Sequence, residues 1–235
     1  MLAACGIISS NGAAEPGFRS VRAVREQGPP AVDVPLVVQV SRWDRMKDMS
    51  GVLKGFVRGV PAESRAQLVL AGPAVDTVGD DPEDRVVWEE TVALWQSLAP
   101  EDRSRTHLVA VPMDDPVENA LVINALQRHA AVVVQKSLAE GFGLTVAEAM
   151  WKARPLVASA VGGIVDQITN EESGLLLRDP ADLDTFGALV ARLLESPEEA
   201  ERLGANALDR VSELFLPDRQ LTQYASLLEH LVDGG

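Results

Sequence analysis

The chain has 235 residues, 46% of them hydrophobic and only 4% aromatic, and a formal charge of −14. This allows one large domain or two small ones, built on Val, Leu, Ala and Ile as a buried parallel sheet requires. The acidic balance argues against a general nucleic-acid binder, but local Arg and Lys can still serve a nucleotide ligand. Cys5 is the single cysteine. It excludes an intrachain disulfide, makes no cysteine metal cluster, and fits a reducing cytoplasm. No apolar run approaches the length of a membrane span. The opening Met1-Leu2-Ala3-Ala4-Cys5-Gly6 superficially resembles a lipoprotein cleavage box but lacks the basic and apolar segments that precede one.

Residues 1–33, rich in Gly, Ala, Pro and Ser and containing Gly28-Pro29-Pro30, read as a loosely structured segment, and residues 34–235 as one domain. Leu36-Val37-Val38-Gln39-Val40 reads as a buried strand, followed by a helix over 49–60 that Pro61 stops. Strands are expected at 67–72, 107–111, 131–135, 155–158 and 174–177. The stretch 73–84 is acidic and turn-prone. Helices are expected over 83–98, with Val87, Leu94, Trp95 and Leu98 on one face, and over 117–129, with Leu121, Ala125 and Leu126 spaced for burial. Three more follow at 181–194, 197–214 and 217–232, each beginning near Pro or Asp. Repeated βα units with short connections predict an α/β fold, a Rossmann-like doubly wound parallel sheet of about six strands with helices on both faces. In such sheets ligands bind beyond the carboxyl ends of the strands.

Two stretches at such ends carry chemistry. After an apolar strand comes Glu140-Gly141-Phe142-Gly143-Leu144-Thr145-Val146-Ala147-Glu148, a glycine turn leading into a helix. That arrangement presents backbone N–H groups to an anion, and its two carboxylates can accept hydrogen bonds from sugar hydroxyls. After the first strand comes Ser41-Arg42-Trp43-Asp44-Arg45-Met46-Lys47-Asp48, where Arg42 and Lys47 can converge on a diphosphate or simply balance Asp44 and Asp48 on a surface loop. Glu148 equally suits a helix N-terminal carboxylate, and Glu140 a turn residue exposed to water. Gly162 and Gly163 can bind phosphate, close the site or make a tight turn. Trp88, Trp95 and Trp151 read as packing residues. His107, His129 and His230 lack metal-ligand spacing.

Together the two stretches, with Val134-Gln135-Lys136-Ser137, Met150-Trp151-Lys152 and Ala160-Val161-Gly162-Gly163-Ile164, resemble the retaining GT-B glycosyltransferases of family four. Within that family the chain is most similar to the trehalose glycosyltransferring synthases. The resemblance covers residues 35–232 and implies the donor-binding, C-terminal half of a GT-B fold. It implies that Arg42 and Lys47 hold the donor diphosphate and that Glu140 lies beside the transferred sugar. The amides of Gly141, Phe142, Gly143, Leu144 and Thr145 would bind sugar hydroxyls and phosphate, and Glu148 the ribose. Base contacts are expected from 112–115 and around Gln135. The implied reaction moves glucose from a nucleoside diphosphate to an acceptor sugar, glucose, giving trehalose, with no metal or other cofactor. The acceptor half has no counterpart in 34–235, and 1–33 is too short to form it. A separate acceptor-domain chain or a homo-oligomer is therefore expected, or else a non-catalytic nucleotide-sugar binding module, a remnant, or an interaction protein that reuses the cleft face.

Overall fold

The computed structural model describes residues 1–9, 21–75 and 82–233. Part of the expected turn at 73–84, residues 76–81, lies outside them. The described strands are β1 (Arg22–Val24), β2 (Leu36–Val40), β3 (Gln67–Pro73), β4 (Thr106–Val111), β5 (Val132–Gln135), β6 (Leu156–Ser159) and β7 (Leu175–Leu177). The helices are α1 (Met49–Gly59), α2 (Pro82–Gln96), α3 (Pro100–Ser104), α4 (Pro116–His129), α5 (Leu144–Trp151), α6 (Ile164–Gln167), α7 (Leu183–Glu195), α8 (Pro197–Leu214) and α9 (Pro217–Asp233). The strands form one seven-stranded sheet in the order β1-β4-β3-β2-β5-β6-β7. Every pairing is parallel except that of β1 with β4. The chain winds outward from β2 through β3 to β4, then returns to the other side of β2 for β5, β6 and β7. The direction of winding reverses between β2 and β5, which pair at Val37↔Val132 and Val38↔Val133.

Two cores flank the sheet, and strand side chains divide between them with period two. Val37, Leu68, Leu70, Leu108, Val132, Val134 and Val157 point into the layer of α1, α2 and α7. Leu36, Val38, Val69, Ala71, Val109, Val133 and Leu156 point into the layer of α4, α5 and α6. Helix α8 serves both, with Ala200 and Leu203 in the first and Ala207 and Val211 in the second. Close approach of α1 to α7 depends on paired glycines: a Cβ on Gly187 would lie 2.5 Å from the Gly59 Cα and 2.6 Å from the Gly55 carbonyl. A methyl there costs about 1–3 kcal/mol, because helix backbones have to separate.

The sheet has one strand more than the six expected. Residues 22–24 are too few to show a pattern, yet they pair antiparallel with β4 and cover what would otherwise be an open edge. Leu2, Cys5, Ile7 and Ile8 are buried in the second core, so the described part of 1–33 contributes to packing. On α4 the buried residues are Val122, Leu126 and Gln127, and Leu121 is 42% exposed. Leu126 is buried and Ala125 packs against the second core as expected, but Val122 takes the place expected for Leu121. Trp88 and Trp95 are buried as expected, but Trp151 is 48% exposed. The buried stripe of α5 is Val146, Ala149 and Met150. Trp151, the last residue of the helix, lies off it.

His107 on β4 is buried, with Nε2 2.7 Å from the Gln67 Oε1. Burial, helped by the nearby Arg25 charge, pushes its pKa from 6.5 down to about 4. A depressed histidine pKa means the unfolded chain binds the proton first, so its contribution to stability is complete above pH 6.5 and is lost as pH falls toward 4. The full separation corresponds to about 3 kcal/mol. Denaturant unfolding at pH 7 and pH 5 should therefore show a loss about 2 kcal/mol larger for the unaltered chain than for His107→Gln, whose amide keeps a donor for Gln67. Equal losses would mean that His107 does not carry this pH dependence.

Candidate functional site

Because β2 and β5 are parallel neighbours, the loops that leave their carboxyl ends, 41–48 and 136–143, are brought side by side. The first loop is anchored by Trp43. Its ring is fully buried, donates from Nε1 to the Pro73 carbonyl at 2.9 Å and meets Trp88 edge-on at 4.5 Å. Gly72 makes room for it, since a Cβ there would lie 2.7 Å from the indole. Asp44 takes the Met46 N–H at 2.6 Å and starts a single turn of 3-10 helix, Arg45–Lys47. Asp48, in the left-handed region at φ 46°, then caps α1 by accepting from the Gly51 N–H at 3.0 Å.

The two loops are tied by polar contacts. The Lys47 Nζ lies 2.6 Å from the Glu140 Oε2, with both side chains largely buried. The Ser137 hydroxyl is 3.3 Å from the same oxygen. Gln39 donates to the Lys47 carbonyl at 2.8 Å and accepts from the Lys136 N–H at 3.0 Å. The Lys136 side chain is fully buried and forms an ion pair with Asp48. The Leu138 N–H donates to the Met46 carbonyl at 2.7 Å.

Other predicted residues take separate places. Arg42 is more than half exposed and pairs with Asp44 at 2.9 Å within its own loop. Gly143, at φ 86°, is the N-cap of α5, so the amides of Leu144 and Thr145 open the helix without intrahelical partners. The Thr145 hydroxyl donates to the Gln135 Oε1 at 2.9 Å and is committed to the protein. Glu148, one turn into α5, accepts from the buried Gln127 at 3.1 Å. Phe142 is 46% and Leu144 69% exposed. In the 112–115 stretch Met113 is exposed, and Asp115 caps α4 through the Val117 and Glu118 N–H groups. Sequence reasoning gave no role to Gln39 or Gln127, read Asp48 only as a charge that Arg42 and Lys47 could balance, and used Lys136 only within the run that carries the family resemblance. Among the described residues no cluster of His, Cys, Asp and Glu could hold a metal, and no helix is long and apolar enough to cross a membrane.

The glycines divide into two kinds. A Cβ on Gly141 would meet no described atom within 4 Å, so among the described residues no side chain or backbone crowds the position a Cβ would take. Gly162, at φ 51°, presses on the Glu140 carbonyl, and a Cβ on Gly163 would lie 2.7 Å from the Gly141 oxygen. The Gly163 N–H donates to that same oxygen at 2.7 Å. Gly162 and Gly163 thus form a floor under the 140–142 turn.

The family model for group 1 glycosyl transferases matches residues 20–210. The chain belongs to this family. It is 38% identical over 201 residues to a trehalose synthase of Rubrobacter xylanophilus, covering 86% of this chain and 45% of that one. A solved sucrose-phosphate synthase of Thermosynechococcus elongatus matches with a TM-score of 0.68 at 29% identity, over 87% of this chain and 47% of the other. Anabaena HepE, solved in complex with UDP-glucose, shares the fold with a TM-score of 0.67 at 19% identity, over 84% of this chain and 49% of its own. The chain therefore spans less than half the length of the trehalose synthase and of either solved structure. The sheet and its helices are the α/β architecture of the GT-B glycosyltransferases.

The two kinds of glycine give opposite expectations. Gly141→Ala should leave the unfolding midpoint unchanged, whereas Gly162→Ala should lower stability by about 1–3 kcal/mol through strain at its positive φ and contact with Glu140. Thermal melts of the two variants would separate them; a destabilised Gly141→Ala would refute the distinction.

Proposed function

We propose that the chain is the donor-binding domain of a retaining sugar transferase that moves glucose from a nucleoside diphosphate to an acceptor sugar, glucose, to give trehalose. The observation that carries this reading is the Lys47–Glu140 pair, which joins the two loops at the point where the sheet's winding reverses. The trehalose synthase relative supports the choice of reaction, and HepE holds UDP-glucose on the same fold.

In this reading the Lys47 ammonium turns from Glu140 to the donor diphosphate, and Arg42, exposed and released from Asp44, joins it. As the bond between the anomeric carbon and the phosphate oxygen breaks, the electron pair goes to the diphosphate, the acceptor's hydroxyl oxygen bonds to the anomeric carbon, and its proton passes to the departing phosphate. The two cations and the amides of residues 141–145, at the positive end of α5, stabilise that charge. Glu140, released from Lys47, accepts from a sugar hydroxyl, and Glu148 accepts from the ribose. These cations supply the positive charge, so donor binding needs no metal. Gly162 and Gly163 act by supporting the turn. The unpaired, buried Cys5 suits the cytoplasm.

Transfer also requires an acceptor surface that excludes water from the site. Helix α9 suits a partner of that kind: Leu221, Tyr224, Leu228 and Leu231 recur at helical spacing on one side and are 57–70% exposed. A separate chain carrying the acceptor side, or a second copy of this one, would cover that stripe. A nucleotide-sugar binding module without turnover is the alternative.

Titration calorimetry with UDP, ADP and GDP, with and without EDTA, tests the donor site. One nucleotide should bind in the micromolar range without added metal, and Arg42→Ala/Lys47→Ala should weaken it at least about tenfold. Unchanged affinity in the double variant would reject the assignment of the two cations. Incubation with labelled nucleotide-glucose and glucose then separates transferase from module, since the module binds and releases no product.

A further inference from the structure

We infer that Lys136 is a positioning residue for the donor site: its buried ammonium, held by Asp48, fixes the 41–48 loop so that the Lys47 ammonium is delivered opposite Glu140, where a donor diphosphate would bind. The inference deepens the donor-site reading and rests on it.

A fully buried lysine is uncommon, and its aliphatic stem could be matched by methionine without an ion in the core. Replacing buried ion pairs by apolar side chains is often neutral or stabilising, so stability alone is a weak reason for such a pair; fixing a register is a better-attested one. Here the pair has geometry to fix. Asp48 follows Lys47 directly and holds a left-handed backbone that few non-glycine residues adopt. One carboxylate oxygen caps α1 through the Gly51 N–H at 3.0 Å and the other pairs with Lys136, so the aspartate is held from both sides. Gly51 accommodates this: a Cβ there would lie 2.5 Å from the Asp48 Cγ. On the near side of Asp48, Gln39 holds the Lys47 carbonyl at 2.8 Å and the Lys136 N–H at 3.0 Å. The backbone around Lys47 is therefore tied at consecutive residues to β2 and to the start of the 136–143 loop. What remains free is the Lys47 side chain, whose Nζ reaches Glu140 at 2.6 Å. Lys136 itself is enclosed by protein, so it acts on a ligand through the loop and not by touching it.

A positioning role and a merely structural one differ in what they do to binding. If Lys136 sets the place of the Lys47 ammonium, losing it harms recognition of the diphosphate and spares recognition of the nucleoside. If it only supports the fold, both weaken together. The test uses the full chain with UDP, ADP and GDP by calorimetry and the matching nucleosides by ligand-observed NMR titration. For whichever nucleotide binds the unaltered chain, Lys136→Met should lower the ratio of diphosphate to nucleoside affinity about tenfold, with the nucleoside affinity unchanged. Asp48→Asn, which keeps an acceptor for the Gly51 N–H and removes the ion pair, should lower the same ratio and carries the test if Lys136→Met fails to fold. A ratio preserved in the folded variants, or a parallel loss of both ligands, overturns the positioning role and leaves the donor site standing. If none of the three nucleotides binds the unaltered chain, the donor-site reading falls and this inference with it.

Discussion

Parallel pairing of β2 with β5 is the constraint from which the site follows. Parallel neighbours have their carboxyl ends at the same edge of the sheet, so whatever follows each strand emerges at the same place. Each other pair of parallel neighbours in this sheet is consecutive in the chain, joined by a connection that contains a helix. Between β2 and β5 the chain has gone outward to β4 and returned, so no crossover helix separates the two loops. That gap is where Lys47 meets Glu140. The apolar pattern of the strands decides the pairing, and the pairing decides which polar residues become neighbours, although they stand 93 positions apart in the sequence.

Much of this was legible beforehand, for reasons that differ between elements. Strands β2 to β6 are buried on both faces, so they appear as continuous apolar runs bounded by turns. The glycine turn before α5 was legible because an N-cap at φ 86° needs a residue without a Cβ. Strand β1 was not, since three residues whose ladder is set entirely by the edge of β4 carry no signal of their own. On α4 Leu121 was placed on the buried face in place of Val122, because the two are similarly apolar and only the sheet beneath distinguishes them. Trp151 was misread for a related reason: a large apolar side chain at the end of a short helix is not compelled inward. Lys136 was the deepest omission. Its charge argues for the surface, and only the partner brought by β2, Asp48, makes its burial tolerable.

The charge balance of the whole chain and that of the site are separate matters. A net charge of −14 gives a field that repels anions at a distance, and a nucleoside diphosphate is an anion. At the mouth of the proposed site, however, one loop supplies Arg42 and Lys47 and the next supplies the amides that open α5. Within a Debye length of about 8 Å these local groups outweigh the screened charges on the far surfaces. The acidic surface would therefore slow the approach of an anion more than it would weaken a complex once formed, so the net charge does not forbid the proposed ligand.

The resting state of the site sets a threshold for what can enter. Lys47 is not waiting with an open valence; its ammonium already has a carboxylate at hydrogen-bond distance in a largely dehydrated position. A singly charged anion that displaces Glu140 exchanges one charge for another and leaves a partly buried carboxylate behind, so it gains little. A diphosphate brings more charge and several acceptor oxygens to the same ammonium, and the sugar attached to it offers hydroxyl donors to the carboxylate that was displaced. Only a ligand with both parts satisfies both members of the separated pair. If the donor site is as proposed, the pairing of Lys47 with Glu140 would select for an activated sugar as a whole, over free phosphate or free sugar, before any base or acceptor is recognised.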